Sequence, residues 1–387
     1  MFRSRTVVSA LALAVMAAVP TSAVAQAPDR AHAGGASPLP PGACVTHGAV
    51  GLAYEVGVNC RVVQVDGHPR RFVVYVPASR PVTGPRAPVV FMFHGSSGTG
   101  EQFLRISGWR EQADATGLVA VFPTGLRYRV LDSGRLSTKW NDYSLASQVD
   151  LSERPPGYPA NAPWPANDVG FVDAMMADLG ARLPIDRHRV YASGFSNGAG
   201  FTARLAVERS TVLAAAAFSG GALPAAQAPA RPIPMYLTVG TLDDRVLAQT
   251  GPPPLVELPL DPLALLAEPV IKSTIGAHLA TAGLDPRDFG VLGRPRSTSF
   301  RWPATGTGTG GALLRFAVLD GLHHNYPNGR NNRAGFEAAP EFWDFFRTHR
   351  LPPAGGARIT AASKAGRAGF TPPIGTDKGS IVTRNAP

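Results

Sequence analysis

The chain has little cysteine, little charge, no dense cluster of either sign and, after its first 25 residues, no long apolar run. Only two of its 387 residues are cysteine, Cys44 and Cys60. That excludes a disulfide-dense scaffold, and a pair alone cannot build a four-ligand zinc knot. An even pair near one end fits a single disulfide formed in an oxidising compartment. The absence of a second long apolar run removes membrane insertion from the expectations. Lys and Arg number 37 against 27 Asp and Glu, for a formal charge of +10. These basic residues are scattered, with no aromatic-interleaved basic helix, so nucleic acid is not an expected partner. Gly306–Gly311 alternates glycine with threonine. No Lys and helix follow it, so it reads as a hairpin tip and not as a phosphate loop. There is no internal repeat.

Hydrophobic residues make up 44% of the chain and charged ones 17%. That balance buries a substantial core and points to a globular enzyme. Residues 1–25 read as a secretory signal peptide: Arg3 and Arg5 lead an apolar run from Val7 to Val19, and Ala23-Val24-Ala25 offers a small-x-small cleavage site. Removing them takes away two arginines and no acid, leaving +8. The expected location is therefore outside the cytoplasm, extracellular or periplasmic. Residues 26–44 read as an Ala/Gly/Pro linker, 45–350 as one catalytic domain, and 351–387 as a flexible tail.

Within 45–350 apolar strands alternate with helices. Strands are expected at 72–76, 89–93, 118–122, 189–192, 214–218, 235–239 and 314–319. Helices are expected at 168–183, capped by Asn167, at 199–208 and at 338–350. Short, continuously apolar strands separated by helices indicate an α/β fold, a mainly parallel central sheet with helices on both faces. Leu255–Ala282 reads as a helical insertion, either a lid or ordinary packing.

Gly194-Phe195-Ser196-Asn197-Gly198 sits between an expected strand and an expected helix. A serine on such a turn takes strained backbone angles, so residues two positions away must be small, and the helix that follows aims its amides at the reacting centre. Ser196 is the expected nucleophile. A serine hydroxyl needs a base oriented by an acid. On such a sheet they follow in the order serine, acid, histidine, each beyond a strand end. Asp243 and Asp244 both follow 235–239, with Asp243 preferred. Of nine histidines four follow Asp243, and His278 and His349 fall in expected helices. That leaves His323 or His324, with His324 preferred. The two amides of an oxyanion hole are expected from Asn197, next to the nucleophile, and from Ser96 in the Gly-rich turn after 89–93. Trp109, Trp140 and Tyr326 are candidate pocket-lining aromatics.

An ordered set of motifs then carries a resemblance. It comprises His94-Gly95-Ser96, Phe122-Pro123-Thr124-Gly125 with Trp140 downstream, Asn167-Asp168-Val169-Gly170-Phe171, the Ser196 pentapeptide, Gly240-Thr241-Leu242-Asp243 and His324-Asn325-Tyr326-Pro327. Together, over roughly residues 60–350, this resembles the polyhydroxybutyrate depolymerase-like esterases, a group of α/β-hydrolases that includes feruloyl and acetylxylan esterases. In that family the acid follows Gly-Thr-x and the base precedes x-aromatic-Pro, which favours Asp243 and His324. Tyr326 stands where many relatives have Trp. The resemblance implies a serine carboxylic-ester hydrolase acting through an acyl-enzyme with no cofactor or metal. Its substrate would be a polyhydroxybutyrate-type polyester, or alternatively a feruloyl or acetyl ester on plant polysaccharide, and the enzyme would be a monomer. A non-catalytic cell-envelope binding protein on the same scaffold is the contrasting expectation, and a peptidase of the same fold is another.

Overall fold

The structure, a computed structural model, describes residues 53–80, 83–303 and 312–352. The expectations for the signal peptide, the linker, Gly306–Gly311 and residues 353–387 lie outside them, as does the Cys44 end of the expected disulfide.

The chain enters as a hairpin of β1 (Gly57–Val65) and β2 (His68–Val76). Its two-residue turn, Asp66-Gly67, has φ of 51° and 76°, the doubly positive geometry that matches strand twist. Next come β3 (Ala87–Phe93), α1 (Gly100–Ile106), α2 (Trp109–Thr116) and β4 (Val119–Pro123). A small sheet of β5 (Leu126–Val130), β6 (Leu136–Lys139) and β7 (Val149–Asp150) precedes α3 (Asp168–Arg182). Then follow β8 (Ile185–Phe195), α4 (Asn197–Glu208), β9 (Ala215–Ser219) and β10 (Met235–Gly240). Three helices come next, α5 (Asp244–Leu247), α6 (Pro262–Ala267) and α7 (Pro269–Ala282). The described chain ends with β11 (Gly290–Arg294), β12 (Ser297–Pro303), β13 (Ala312–Leu319) and α8 (Ala338–Phe346).

Ten strands form the main sheet in the order β1-β2-β4-β3-β8-β9-β10-β13-β12-β11. The run from β4 to β13 is parallel, and antiparallel strands flank it on both edges. All seven residues of β3 are buried, as a central strand covered on two faces requires. One face carries α3 and α4: Phe171 packs edge-on to Phe72, and Phe201 edge-on to Phe93. The other carries α2 and α8, where Phe346 stacks on Tyr191 and Trp109. This is the α/β-hydrolase fold expected from the sequence.

The expected helix at 168–183 is α3. Asn167 caps it by accepting the Gly170 N–H, and it buries Val172, Met175 and Leu179 on one side. Each such side chain contributes roughly 1.5–3 kcal/mol by leaving water. Residues 255–282 resolve into α6 and α7, and α7 buries Ile271, Ile275, His278 and Leu279. The last helix stops at Phe346, short of Arg350.

Candidate active site

Ser196 lies where β8 hands the chain to α4, with φ 54° and ψ −121°. A non-glycine residue there costs about 1–3 kcal/mol, and the surroundings enforce it. The Ser196 N–H donates to Ser219 O at 2.9 Å, and its own carbonyl accepts from Ala199 and Gly200. The flanking glycines are required by close approach. A Cβ on Gly198 would stand 2.3 Å from the carbonyl oxygens of Phe93 and His94, and one on Gly194 would stand 2.3 Å from Gly198 O. The turn therefore presses against the end of β3, and the first turn of α4 brings its positive end to the serine.

β10 and β13 pair in parallel with Gly240 opposite Leu319, so the loops after them leave the sheet side by side. They are stitched together: Gly321 N–H donates to Thr241 Oγ1 at 2.9 Å, and Leu242 N–H to Leu322 O at 3.0 Å. Asp243 caps α5 by accepting the Arg245 N–H and is 2% exposed. Both its carboxylate oxygens lie 3.0 Å from His324 Nδ1. A carboxylate only accepts, so Nδ1 carries the proton and Nε2 is left as an acceptor. Nε2 lies 2.8 Å from Ser196 Oγ. Asp244, by contrast, is exposed beside Arg245, and His323 is exposed.

The turn after β3 holds Ser96, which is exposed, and is set by His94, which is fully buried. Gly125 N–H donates to His94 Nε2 at 2.9 Å, so Nδ1 carries the proton and donates to Gly95 O at 2.6 Å. Gly98 N–H donates to the same carbonyl. In a trans peptide the Ser96 N–H then points away from that carbonyl. Burial pushes His94 down to about 4, opposed only in part by its bond to Gly95, so the ring is neutral near pH 7.

Trp140 is fully buried, with Nε1 donating to His94 O at 2.9 Å and its ring stacked on Phe201. Tyr326 is 6% exposed and accepts from Trp109 Nε1 at 3.1 Å. Trp140, Tyr326 and Trp109 are thus all buried, and Trp109 stacks on Phe346 while Tyr326 packs edge-on to Phe103.

Gly220, Gly221, Gln148, Arg245, Val270 and Phe316 are among the residues lining a cleft of about 750 Å³, which is lined by neither Ser196 nor His324. A Cβ on Gly220 would meet His324 Cε1 at 3.1 Å, and one on Gly221 would meet Ser196 O at 2.6 Å. These two glycines let the loop after β9 pack closely against Ser196 and His324. A second cleft of equal volume, lined by Arg71, Arg127, Tyr128 and Leu136, likewise includes neither Ser196 nor His324.

Sequence reasoning did not find the polar side-chain contacts that brace this site. Asn197, the residue after the serine, uses its side chain to accept the Trp140 N–H at 2.7 Å and to donate to Asp142 Oδ2 at 3.0 Å. Lys139, 6% exposed, donates to Ser96 Oγ and to Gln148 Oε1. Asp168 in the Asn167-Asp168 motif accepts from buried Arg70 at 2.6 Å and from Asn141 N–H at 2.6 Å. Burial raises the Asp142 carboxyl, while bonds from Ser144 and Asn197 oppose the shift.

Residues 71–229 match the family model described as Esterase PHB depolymerase. A protein of Nocardia uniformis subsp. tsuyamanensis named "Putative esterase NocK" is 26% identical, the match covering 71% of this chain and 76% of that one. "Probable feruloyl esterase C" of Aspergillus niger is 28% identical over 48% of this chain and 61% of its own length. Among solved structures, an acetyl xylan esterase from Aspergillus awamori aligns with a TM-score of 0.49 at 14% identity, over 76% of this chain and 99% of that one. Residues 71–229 are thus similar to the polyhydroxybutyrate depolymerase-type esterases, and the chain is a carboxylic ester hydrolase.

Proposed function

We propose that this chain is an exported serine esterase that works through an acyl-enzyme on Ser196, with a polyhydroxybutyrate-type polyester as its substrate. The observation that carries the reading is the hydrogen-bonded series from Ser196 Oγ to His324 (2.8 Å) to Asp243 (3.0 Å), on an elbow with φ 54°. Ser196 Oγ attacks the ester carbonyl carbon while its proton passes to His324 Nε2. Asp243 fixes the tautomer and stabilises the imidazolium. The oxyanion is held by the N–H groups of Asn197 and Ser96. The intermediate collapses, the alcohol departs with the proton from His324, and the acyl group stays on Ser196. Water then gives a proton to His324 Nε2 as it attacks. The acid leaves and Ser196 recovers its proton.

Export rests on the first 25 residues, and with it goes a Cys44–Cys60 disulfide. The polyester reading is supported by the family match over residues 71–229. A second reading, a feruloyl ester on plant polysaccharide, is favoured by the similarity to feruloyl esterase C. The test compares clearing of polyhydroxybutyrate film with release of ferulate and acetate from arabinoxylan, with Ser196→Ala as the blank. Film clearing by wild type alone is the expected result. Ferulate or acetate release without film clearing moves the substrate to the second reading, and equal turnover by Ser196→Ala removes the serine mechanism.

A further inference from the structure

Two amides form the oxyanion hole in the reading above, and they come from parts of the chain about a hundred residues apart. The Asn197 amide opens α4, rigidly packed under the sheet. The Ser96 amide sits in an exposed turn. Such a hole works only if both donors stand at a fixed separation before the reaction, because reorganisation during the step forfeits the gain. The structure contains an unbroken polar chain from one to the other, and all of it runs through Lys139–Gln148, the segment that begins at the last residue of β6.

The chain starts at Ser96. Lys139 Nζ donates to Ser96 Oγ at 3.2 Å and to Gln148 Oε1 at 2.7 Å. Gln148 Nε2 donates to Ser144 Oγ at 2.7 Å, and Ser144 Oγ donates to Asp142 Oδ1 at 3.0 Å. Asp142 Oδ2 accepts from Asn197 Nδ2 at 3.0 Å, and Asn197 Oδ1 accepts from Trp140 N–H at 2.7 Å. Around the Lys139 link, β6 straps the rest of the turn. Ser97 N–H donates to Thr138 O at 2.9 Å, Thr138 Oγ1 to Gly98 O at 2.6 Å, and Ser97 Oγ lies 2.9 Å from Ser137 Oγ.

Lys139 is the unexpected member. An ammonium on a flexible stem is rarely buried without a carboxylate in contact. This one is 6% exposed and bonds to two neutral oxygens, in a short strand where a neutral residue would pack at lower desolvation cost. Burial lowers its pKa, and the field of Asp142 and Asp132 opposes that. A charged donor held at such a cost points to a need for that donor.

We propose that Lys139 is a positioning residue of the oxyanion hole: through Gln148, Ser144 and Asp142 it couples the Ser96 turn to Asn197 and sets the spacing of the two amides. The proposal rests on Ser196 being the nucleophile. Lys139 touches neither substrate nor the reacting atoms. Its effect falls on the transition state, where charge reaches the oxygen, and not on ground-state binding.

The experiment is steady-state kinetics on p-nitrophenyl butyrate with wild type, Ser196→Ala, Lys139→Met, Gln148→Met and the double variant Lys139→Met/Gln148→Met. Melting temperatures and the affinity for a trifluoromethyl ketone, which forms the tetrahedral adduct, are measured in parallel. Misplacing one donor predicts a fall in kcat of roughly 10- to 100-fold in Lys139→Met. KM stays within about two-fold of wild type, because ground-state binding is untouched. Trifluoromethyl ketone affinity falls by the same factor as kcat/KM. The double variant loses no more than Lys139→Met alone, because both cuts break one chain. A kcat equal to wild type, a change confined to KM, or additive losses overturns the proposal. If Lys139→Met does not fold, Gln148→Met cuts the same chain at a half-buried position and is held to the same kcat-only loss. An inactive wild type or an active Ser196→Ala would fault the serine assignment. A normal Lys139→Met beside a dead Ser196→Ala would fault only this inference.

Discussion

Asp243 and Asp244 are neighbours of identical chemistry, and so are His323 and His324; only three-dimensional placement separates them. Asp243 is buried with both oxygens 3.0 Å from an imidazole, while the side chain of Asp244 is 72% exposed. Asp243→Asn cannot hold the Nδ1–H tautomer and is expected to lower kcat by roughly 10⁴-fold, and His324→Ala by at least as much. Asp244→Asn and His323→Ala are expected to stay within about three-fold, as exposed substitutions do. Kinetics of the four variants on one p-nitrophenyl ester gives the ranking, and the reverse order would shift the assignment by one residue. The sequence offered both members of each pair. The preference for Asp243 and His324 came from motif order and family pattern, and the hydrogen bonds supply its physical reason.

At the scale of elements, the site depends on what holds β6 and its following segment against α4. Asp168, the first residue of α3, takes both Arg70 from β2 and the Asn141 N–H, and the Arg70 guanidinium lies 4.3 Å from the Phe171 ring. Removing one partner leaves an uncompensated buried charge, so Asp168→Ala is expected to cost about 3–5 kcal/mol of stability. Urea denaturation measures it, and a midpoint equal to wild type would contradict it. Elements were legible in proportion to their burial. β3, β4, β9 and β10 are continuously buried runs and were read directly, as was α3 from its helical period. The edge strands β1, β11 and β12 and the small sheet β5-β6-β7 were not, because their mixed apolar and polar residues make no clean pattern. The polar brace was not legible either. Lys139 and Ser96 are 43 residues apart, and Asn197 and Asp142 are 55 apart; nothing local in the sequence pairs them.

For the whole molecule, one sheet sets the proposed catalytic groups in reach of each other. Ser196, Asp243 and His324 leave the ends of β8, β10 and β13, which are joined through β9 in a parallel run. The turn that carries Ser96 leaves β3, the neighbour of β8 on the other side. A parallel sheet puts all these strand ends on one edge, which is why motif order and family pattern pointed to the candidate site while substrate choice was not readable. The central claim is that Ser196 is the nucleophile. It is tested most directly by reacting the folded protein with diethyl p-nitrophenyl phosphate and mapping the adduct by mass spectrometry. The account predicts a single diethylphosphoryl group on Ser196, with ester turnover lost in step with labelling. An adduct on another residue, or full turnover by labelled protein, would contradict it.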